Sequence, residues 1–335
     1  MAKIKFWKAL NTALKEEMER DPDVFLLGED VGLYGGTFRV TDGLMEEFGP
    51  MRVLDTPISE YGFAGMAIGA AIMGMRPVAE FMSIDFAPLA MDQIASHAAK
   101  MRYMFGGGCK VPVVFRAPEG TGTQKGPQHS QRLEAWFAHI PGLKVVIPST
   151  PADAKGLLIS SIRDDNPVFF IEHEKLYNMS GEVPEGDYTV PIGKAEIKRE
   201  GSDVTLISYA FMTHLCLAAA EELNEQGISV EVIDLKTLRP LDEETFLKSV
   251  EKTNRVVIVE EDTLTLGIGA ELAAIIADKG FYDLDAPVIR VAAKDVPIPY
   301  AKELEKLAIP QKQDVVDAVF KSLYKNNNAT SGGGH

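Results

Sequence analysis

Short runs rich in β-branched and aromatic residues alternate along the chain with longer stretches whose apolar residues fall three and four apart. The runs at 24–28, 53–56, 77–81, 111–116, 144–148 and 167–172 predict strands. The stretch holding Leu44, Met45 and Phe48, and those at 86–104, 130–139 and 151–163, predict helices. The run VFFI at 168–171 is apolar at every position, which suits a parallel sheet covered on both faces. Strand and helix in alternation give a layered α/β domain. The opening MAKIKFWKALNTALKEEMERD reads as an amphipathic helix of mixed charge. It has neither the apolar core nor the small-residue cleavage site of a secretory signal. The most apolar stretch, 62–75, is too short to span a bilayer, and its Gly and Ala predict a helix packed on all sides.

A polar segment from Tyr177 to about Gly201, with GEVPEGDYTVP inside it, reads as a linker. A second α/β rhythm follows. Strands are expected at 203–209, 229–235, 255–260 and 288–291, and helices at 212–226, 242–252, 267–279 and 313–324. The expected domains are therefore 1–190 and 191–325. The end, NNNATSGGGH, lacks core-forming residues, and 326–335 is expected to be a flexible tail.

Composition narrows the class. Of 335 residues, 46% are hydrophobic and 25% charged, which excludes a disordered, collagen-like or disulfide-built chain. The net charge of -15 repels phosphate backbones and anionic lipid, so neither nucleic acid nor membrane is expected as a partner. An acidic surface serves solubility first, and it also suits a basic protein partner. Two cysteines, Cys109 and Cys216, fit a reducing compartment, and the cytoplasm is expected.

Several common catalytic devices are missing. The sequence holds no GxxxxGK[ST], GxSxG, CxxC or HExxH, and its internal histidines lack zinc-ligand spacing. Glycine-rich turns occur at 32–36, 62–71 and 267–271, but none is a GxGxxG between strand and helix, so a nicotinamide site is disfavoured.

Three segments carry candidate chemistry. In DTPISEYGFAG, 55–65, a strand ends, Pro57 stops it and Ser59 can cap a helix, leaving Glu60 in the first turn. Spacing alone suits a plain partner for the helix dipole, worth ~0.3–1 kcal/mol. Apolar Ile58 and Phe63 and the Gly/Ala/Met helix suggest poor solvation instead, which raises a carboxyl pKa and enables proton transfer near neutral pH. His129, in PQHSQ, follows a Gly- and Thr-rich loop and is expected to enter a helix at the strand-end rim; a capping or surface histidine is the simpler alternative. The turn IRDDNPV, 162–168, offers backbone oxygens for a monovalent cation, or is an ordinary turn closed by its own Asp and Asn side chains.

Together the segments resemble the β subunit of the E1 component of 2-oxo acid dehydrogenase complexes, the family of pyruvate, branched-chain 2-oxo acid and acetoin dehydrogenases. The resemblance spans about 4–325. It rests on FLLGEDVG at 25–32, DTPISEYGFAG at 55–65, RPVAEFMSIDF at 76–86 and MDQIASHAAKMRYM at 91–104. It rests further on QHSQRLEAWFAHIPGLKVV at 128–146, DAKGLLISSIRDDNPV at 153–168 and DVPIPYAKELE at 295–305. It implies a thiamine diphosphate-binding, pyrimidine-type parallel-sheet domain followed by an α/β domain like the transketolase C-terminal domain. It also implies an α2β2 heterotetramer, with the cofactor shared between chains and its diphosphate and Mg²⁺ held by the α subunit through a GDG…N motif. That motif is not found in this sequence, which makes the chain half a site, inactive alone.

By the same resemblance, Glu60 matches the glutamate that bonds N1′ of the aminopyrimidine. A proton shared there favours the 4′-imino form, which deprotonates the thiazolium carbon. Glu29 matches a second pocket acid, and two close carboxylates push one pKa up. Ile58, Met82 and Phe86 match apolar positions around the ring, with Phe86 suited to stacking. His129 matches a histidine suited to proton transfer during reductive acylation of the lipoyl group on E2. Val113, Ser161, Ile162, Asp164 and Asn166 match positions whose carbonyls bind K⁺. The loop 121–126 departs from the family, reading TGTQKG where relatives carry small apolar or Gly-rich runs. The run LDAP at 284–287 matches the part that docks the E2 core, where Asp285 would meet a basic E2 domain. The substrate stays open among pyruvate, branched-chain acids and acetoin, with pyruvate the commonest. A stand-alone thiamine enzyme is disfavoured by length and by the missing motif. A non-catalytic E2-docking subunit is disfavoured by the joint presence of Glu60, Phe86 and His129.

Overall fold

A computed structural model describes residues 2–324; the expected tail at 326–335 lies outside the described residues. The chain divides into two compact units. The first comprises Met1–Gly193 and Lys236–Leu241, the second Lys194–Leu235 and the residues from Asp242 on. The return of Lys236–Leu241 to the first unit has no counterpart in the expected division at 190/191.

In chain order the elements are β1 Ala2–Lys5, α1 Phe6–Arg20, β2 Val24–Gly28, α2 Leu44–Phe48, β3 Val53–Asp55, α3 Glu60–Ile72 and β4 Arg76–Glu80. A 3₁₀ segment Ile84–Ala90 and a π segment Gln93–Ala98 lead into α4 Ala99–Met104. Then come β5 Val114–Glu119, α5 Glu134–Ala138, β6 Lys144–Val146, α6 Pro151–Arg163, β7 Val168–His173 and β8 Ser180–Val183. The remainder is β9 Glu196–Arg199, β10 Val204–Ser208, α7 Ala210–Glu225, β11 Val230–Asp234, β12 Thr237–Arg239, α8 Glu243–Thr253, β13 Val256–Thr263, α9 Ile268–Lys279, β14 Ile289–Ala293, α10 Lys302–Ala308 and α11 Lys312–Ser322.

The first unit is built on a seven-stranded sheet in the order β12-β6-β7-β5-β4-β2-β3. It is parallel except for β12, which runs antiparallel to β6. Every residue of β2, β5 and β7 is buried, as strands covered on both faces require. Phe81, Phe115, Phe137 and Phe169 form its aromatic core, with the Phe137 and Phe169 rings stacked at 3.9 Å. Helix α6 starts where the sequence permits: the Thr150 hydroxyl accepts from the Asp153 amide at 3.1 Å, and Pro151 needs no amide partner in the first turn. Arg163 and Lys155 tie α6 to Glu17 and Glu16 of α1. The second unit holds the sheet β14-β13-β10-β11-β9, parallel except for edge strand β9. Its core packs Val204, Leu206, Val232 and Val257 against Cys216 and Leu223 of α7 and Val315 and Val319 of α11.

Four expectations change. Ala2–Lys5 is a strand, paired antiparallel with β8, because a partner far along the chain supplies its hydrogen bonds. The linker segment contains β8 and β9; both are polar edge strands, which composition disguises as loop. The single helix expected at 86–104 breaks into three pieces. Pro88 lacks an amide hydrogen and crowds the preceding turn, so a regular α-helix does not run through it. Helix α3 is not packed on all sides: Phe63, Ala64, Ala67, Ile68 and Ala71 are buried, but Tyr61, Met66 and Ile72 are exposed.

Candidate active site

The C-terminal ends of parallel strands bring the chemistry-bearing residues to one rim of the first unit. Gly28 closes β2 at the register position of Asp55 on β3 and Glu80 on β4. Its φ of +157° and the Glu80 carbonyl, 2.5 Å from where a Cβ would stand, leave no room for a side chain. Glu29 therefore leaves the strand directly beside β3 and β4. The loop after it is gripped by Asp55, whose carboxylate accepts from the amides of Gly32 at 2.6 Å and Leu33 at 3.1 Å.

Glu60 is the first residue of α3 and is only 6% exposed; Ser59 makes no side-chain cap. Glu29 is 7% exposed, and its Oε1 is buried without a hydrogen-bond partner, as is the Thr56 hydroxyl. Burial, then the charges of Glu60 and Asp30, push the Glu29 carboxyl up to about 6. The two acids are thus brought within electrostatic reach, and burial and the neighbouring charges move Glu29 toward neutral pH. Ile58 does not provide the expected cover: it is 82% exposed, although Glu60 is buried. Met82 and Phe86 are half-buried after β4, and the Phe86 ring meets the exposed His129 edge-on at 5.7 Å. His129 does not enter a helix. It sits in a bend, and α5 begins only at Glu134.

The five residues matched to K⁺ lie elsewhere, at the N-terminal edge of the sheet before β5 and β7 and at the end of α6. Four of their carbonyls are engaged: Val113 accepts from Val168, Ser161 from Asp164, and Ile162 and Asp164 from Arg76 Nη1 at 2.9 and 3.1 Å. The Asp164 carboxylate accepts from the amide and side chain of Asn166 and pairs with Lys144. Burial raises its pKa, but these partners outweigh it and hold the carboxyl below the usual range.

One constellation escaped the sequence reading. Arg116 on β5 is fully buried between Glu80 of β4 and Glu172 of β7, and Glu172 also accepts from the Tyr177 hydroxyl at 2.7 Å. Burial raises Glu80 against the pull of the guanidinium, and burial together with Glu172 holds Tyr177 well above its ordinary value. The signal lies in the strands themselves: β4, β5 and β7 are fully or nearly fully buried yet carry Glu80, Arg116 and Glu172.

A pH-dependent stability follows from Glu29. A carboxyl whose folded pKa exceeds its unfolded one contributes stability below about 4.5, and that contribution is lost as pH rises through about 6. Glu29→Gln is therefore expected to gain up to about 1 kcal/mol at pH 8, after discounting for solvent screening, and nothing near pH 4. Urea midpoints across this range measure it; no gain at pH 8 contradicts the burial of a charge-bearing Glu29.

The chain matches the family model for the transketolase pyrimidine binding domain over residues 2–180 and that for the transketolase C-terminal domain over 193–315. It is similar to proteins named pyruvate dehydrogenase E1 component subunit beta. That of Rickettsia felis is 51% identical over 95% of this chain and 97% of its own length. That of Rhizobium meliloti is 52% identical over 97% and 71%. A mitochondrial one from Oryza sativa is 50% identical over 95% and 86%. Among solved structures, a split-gene transketolase described as an inactive β4 tetramer superposes with a TM-score of 0.79 at 26% identity, over 96% of this chain and 99% of its own.

Proposed function

The chain belongs to the E1 β-subunit family of 2-oxo acid dehydrogenase complexes, and we propose that it decarboxylates pyruvate together with an α subunit and passes the acyl group to lipoyl-E2. The reaction is thiamine diphosphate-dependent. The observation that carries the site assignment is the buried pair of Glu60 and Glu29, with Glu29 Oε1 lacking a donor. The Thr56 hydroxyl beside them lacks a partner too. These are the atoms an aminopyrimidine, rich in N–H and ring nitrogen, would satisfy, so the residues fit the cofactor. When bound, the cofactor supplies the nucleophilic carbon that attacks the 2-oxo group. Glu60 would share a proton with the ring nitrogen, and Glu29, whose carboxyl burial and the neighbouring acids push up to about 6, would stand beside it as a second acid. Phe86 and Met82, half-buried after β4, would offer the ring an apolar wall, the exposed Ile58 would join it only at the rim, and His129 at the edge of Phe86 would handle the proton of lipoyl acylation.

The diphosphate and Mg²⁺ are assigned to the α subunit. Among the described residues no group of three or more His, Cys, Asp or Glu could hold a metal. For K⁺, the second lone pairs of the carbonyls of Val113, Ser161, Ile162, Asp164 and Asn166 remain as ligands, but Arg76 already brings a cation to two of them. Such an ion would steady the turn and takes no part in the chemistry. The α subunit has an apolar surface to cover in Tyr61, Met66, Ile72 and Leu89, and the α2β2 assembly is proposed on that ground and on family membership. For E2, Asp285 is 58% exposed although paired with Arg255 at 3.0 Å. No helix among the described residues is long and apolar enough to cross a membrane. Cytoplasmic residence is proposed from two free cysteines and bacterial relatives.

Mixing the chain with its α subunit, cofactor and Mg²⁺ is expected to release CO₂ from pyruvate, faster than from branched-chain 2-oxo acids or acetoin. The chain alone is expected to release none. A faster rate on a branched-chain acid would reassign the substrate, and activity of the chain alone would overturn the half-site reading.

A further inference from the structure

The loop between β5 and α5 is fastened at two points that bracket His129. Upstream, the Lys125 ammonium pairs with the nearly buried Glu174 carboxylate and lies 5.1 Å from the centroid of the Phe38 ring. Thr123, two residues earlier, also hydrogen-bonds Glu174. Phe38 stacks on Tyr177 at 4.6 Å, and Tyr177 donates to Glu172. Lys125 therefore joins three segments, the loops after β2, β5 and β7, and ends on the buried Arg116 network. Downstream, the Gln131 amide and side chain donate to Asp85 Oδ1 at 3.0 and 3.1 Å, fixing the far side of the bend to the 3₁₀ segment that carries Phe86. Between the two anchors stand Gly126, whose carbonyl accepts from His129, and Pro127, whose ring limits the backbone.

We infer that Lys125 is a positioning residue for His129: its bridge from Glu174 to Phe38 sets the loop so that the imidazole stands at the edge of Phe86. This rests on the reading of His129 as the proton-handling group of lipoyl acylation. The argument is geometric. With Lys125 released, the loop loses its ion pair with Glu174 and its contact with Phe38, the tie four residues before His129, and Thr123 on Glu174 and Gln131 on Asp85 hold the bend less closely. Displacement of a reacting group by about 1 Å costs up to ~10²-fold in rate. Glu29 shares the loop after β2 with Phe38, but Asp55 grips the Gly32 and Leu33 amides between them, and Glu60 stands at the head of α3, so the acid pair is expected to keep its place.

The test uses the reconstituted α/β pair and a free lipoyl domain. Lys125→Met keeps an unbranched side chain near Phe38 and removes the charge. It is expected to slow acyl transfer to the lipoyl domain about 10–100-fold. Decarboxylation read with an artificial electron acceptor is expected to stay within about twofold, and Lys125→Arg to recover most of the transfer rate. Equal losses in both half-reactions, no loss in either, or no recovery by Lys125→Arg overturns the proposal. His129→Ala run alongside separates it from its basis. If His129→Ala is slow in transfer while Lys125→Met is normal, only the positioning role fails. If His129→Ala transfers at the wild-type rate, the reading of His129 falls and the role of Lys125 with it.

Discussion

Glu60→Gln in the reconstituted α/β pair is expected to lower decarboxylation on the order of 10²–10³-fold. The substitution keeps the shape of the side chain and its place at the head of α3, so binding of the α subunit and of E2 is expected to hold. What it removes is the exchangeable proton. Glu60 is buried on a helix terminus, within the electrostatic field of Glu29, and forms no salt bridge with a basic side chain among the described residues. An amide there donates or accepts a hydrogen bond but cannot pass a proton to and from a ring nitrogen. Glu29 cannot substitute, because it leaves β2 on the neighbouring loop. The rate of CO₂ release from pyruvate at saturating cofactor reads the effect. Near-normal turnover with full E2 binding would mean that the chain is a docking scaffold.

The largest effect on stability is expected from Arg116→Met. The guanidinium lies between the carboxylates of Glu80 and Glu172, all three inside the seven-stranded sheet. Removing it leaves two buried carboxylates facing each other, with the Tyr177 hydroxyl donating to Glu172. Breaking a buried pair in this way costs about 3–5 kcal/mol. Both tryptophans, Trp7 and Trp136, belong to the first unit, so their fluorescence follows the unfolding of that unit specifically. At pH 7 the urea midpoint is expected to fall accordingly. The deficit is expected to shrink on acidification, since protonating a carboxyl whose folded pKa is raised restores stability as pH falls. A loss under about 1 kcal/mol at pH 7 would show that the network relaxes around the gap.

The sequence was informative wherever a local rule decides. Apolar runs located β2, β4, β7, β10 and β11 because buried parallel strands are made of such runs. The helical stretch beginning at Pro151 located α6, and α3 begins at Glu60 as expected although Ser59 makes no side-chain cap. It was silent where the partner is distant. Nothing near Ala2–Lys5 announces Ser180–Val183, and nothing near Thr237 announces β6. Strand β5 runs three residues past its expected end, through Pro118; beyond Arg116 it pairs only with β7, so the missing amide leaves no gap against β4. In the site, Glu60 and Glu29 were found as types in motifs, and Phe86 beside His129 as members of matched segments. The exposure of Ile58 and the ties made by Lys125 and Asp85 depend on how three loops converge, which no window of neighbouring residues records.

The outermost strand of the seven-stranded sheet, β12, is drawn from residues that follow β9 through β11. A growing polypeptide therefore emerges from the ribosome with its first sheet open along β6 until about residue 241 has been translated. A gene cut at the apparent seam near Gly193 would release a fragment whose bare strand edge invites pairing with its own copies.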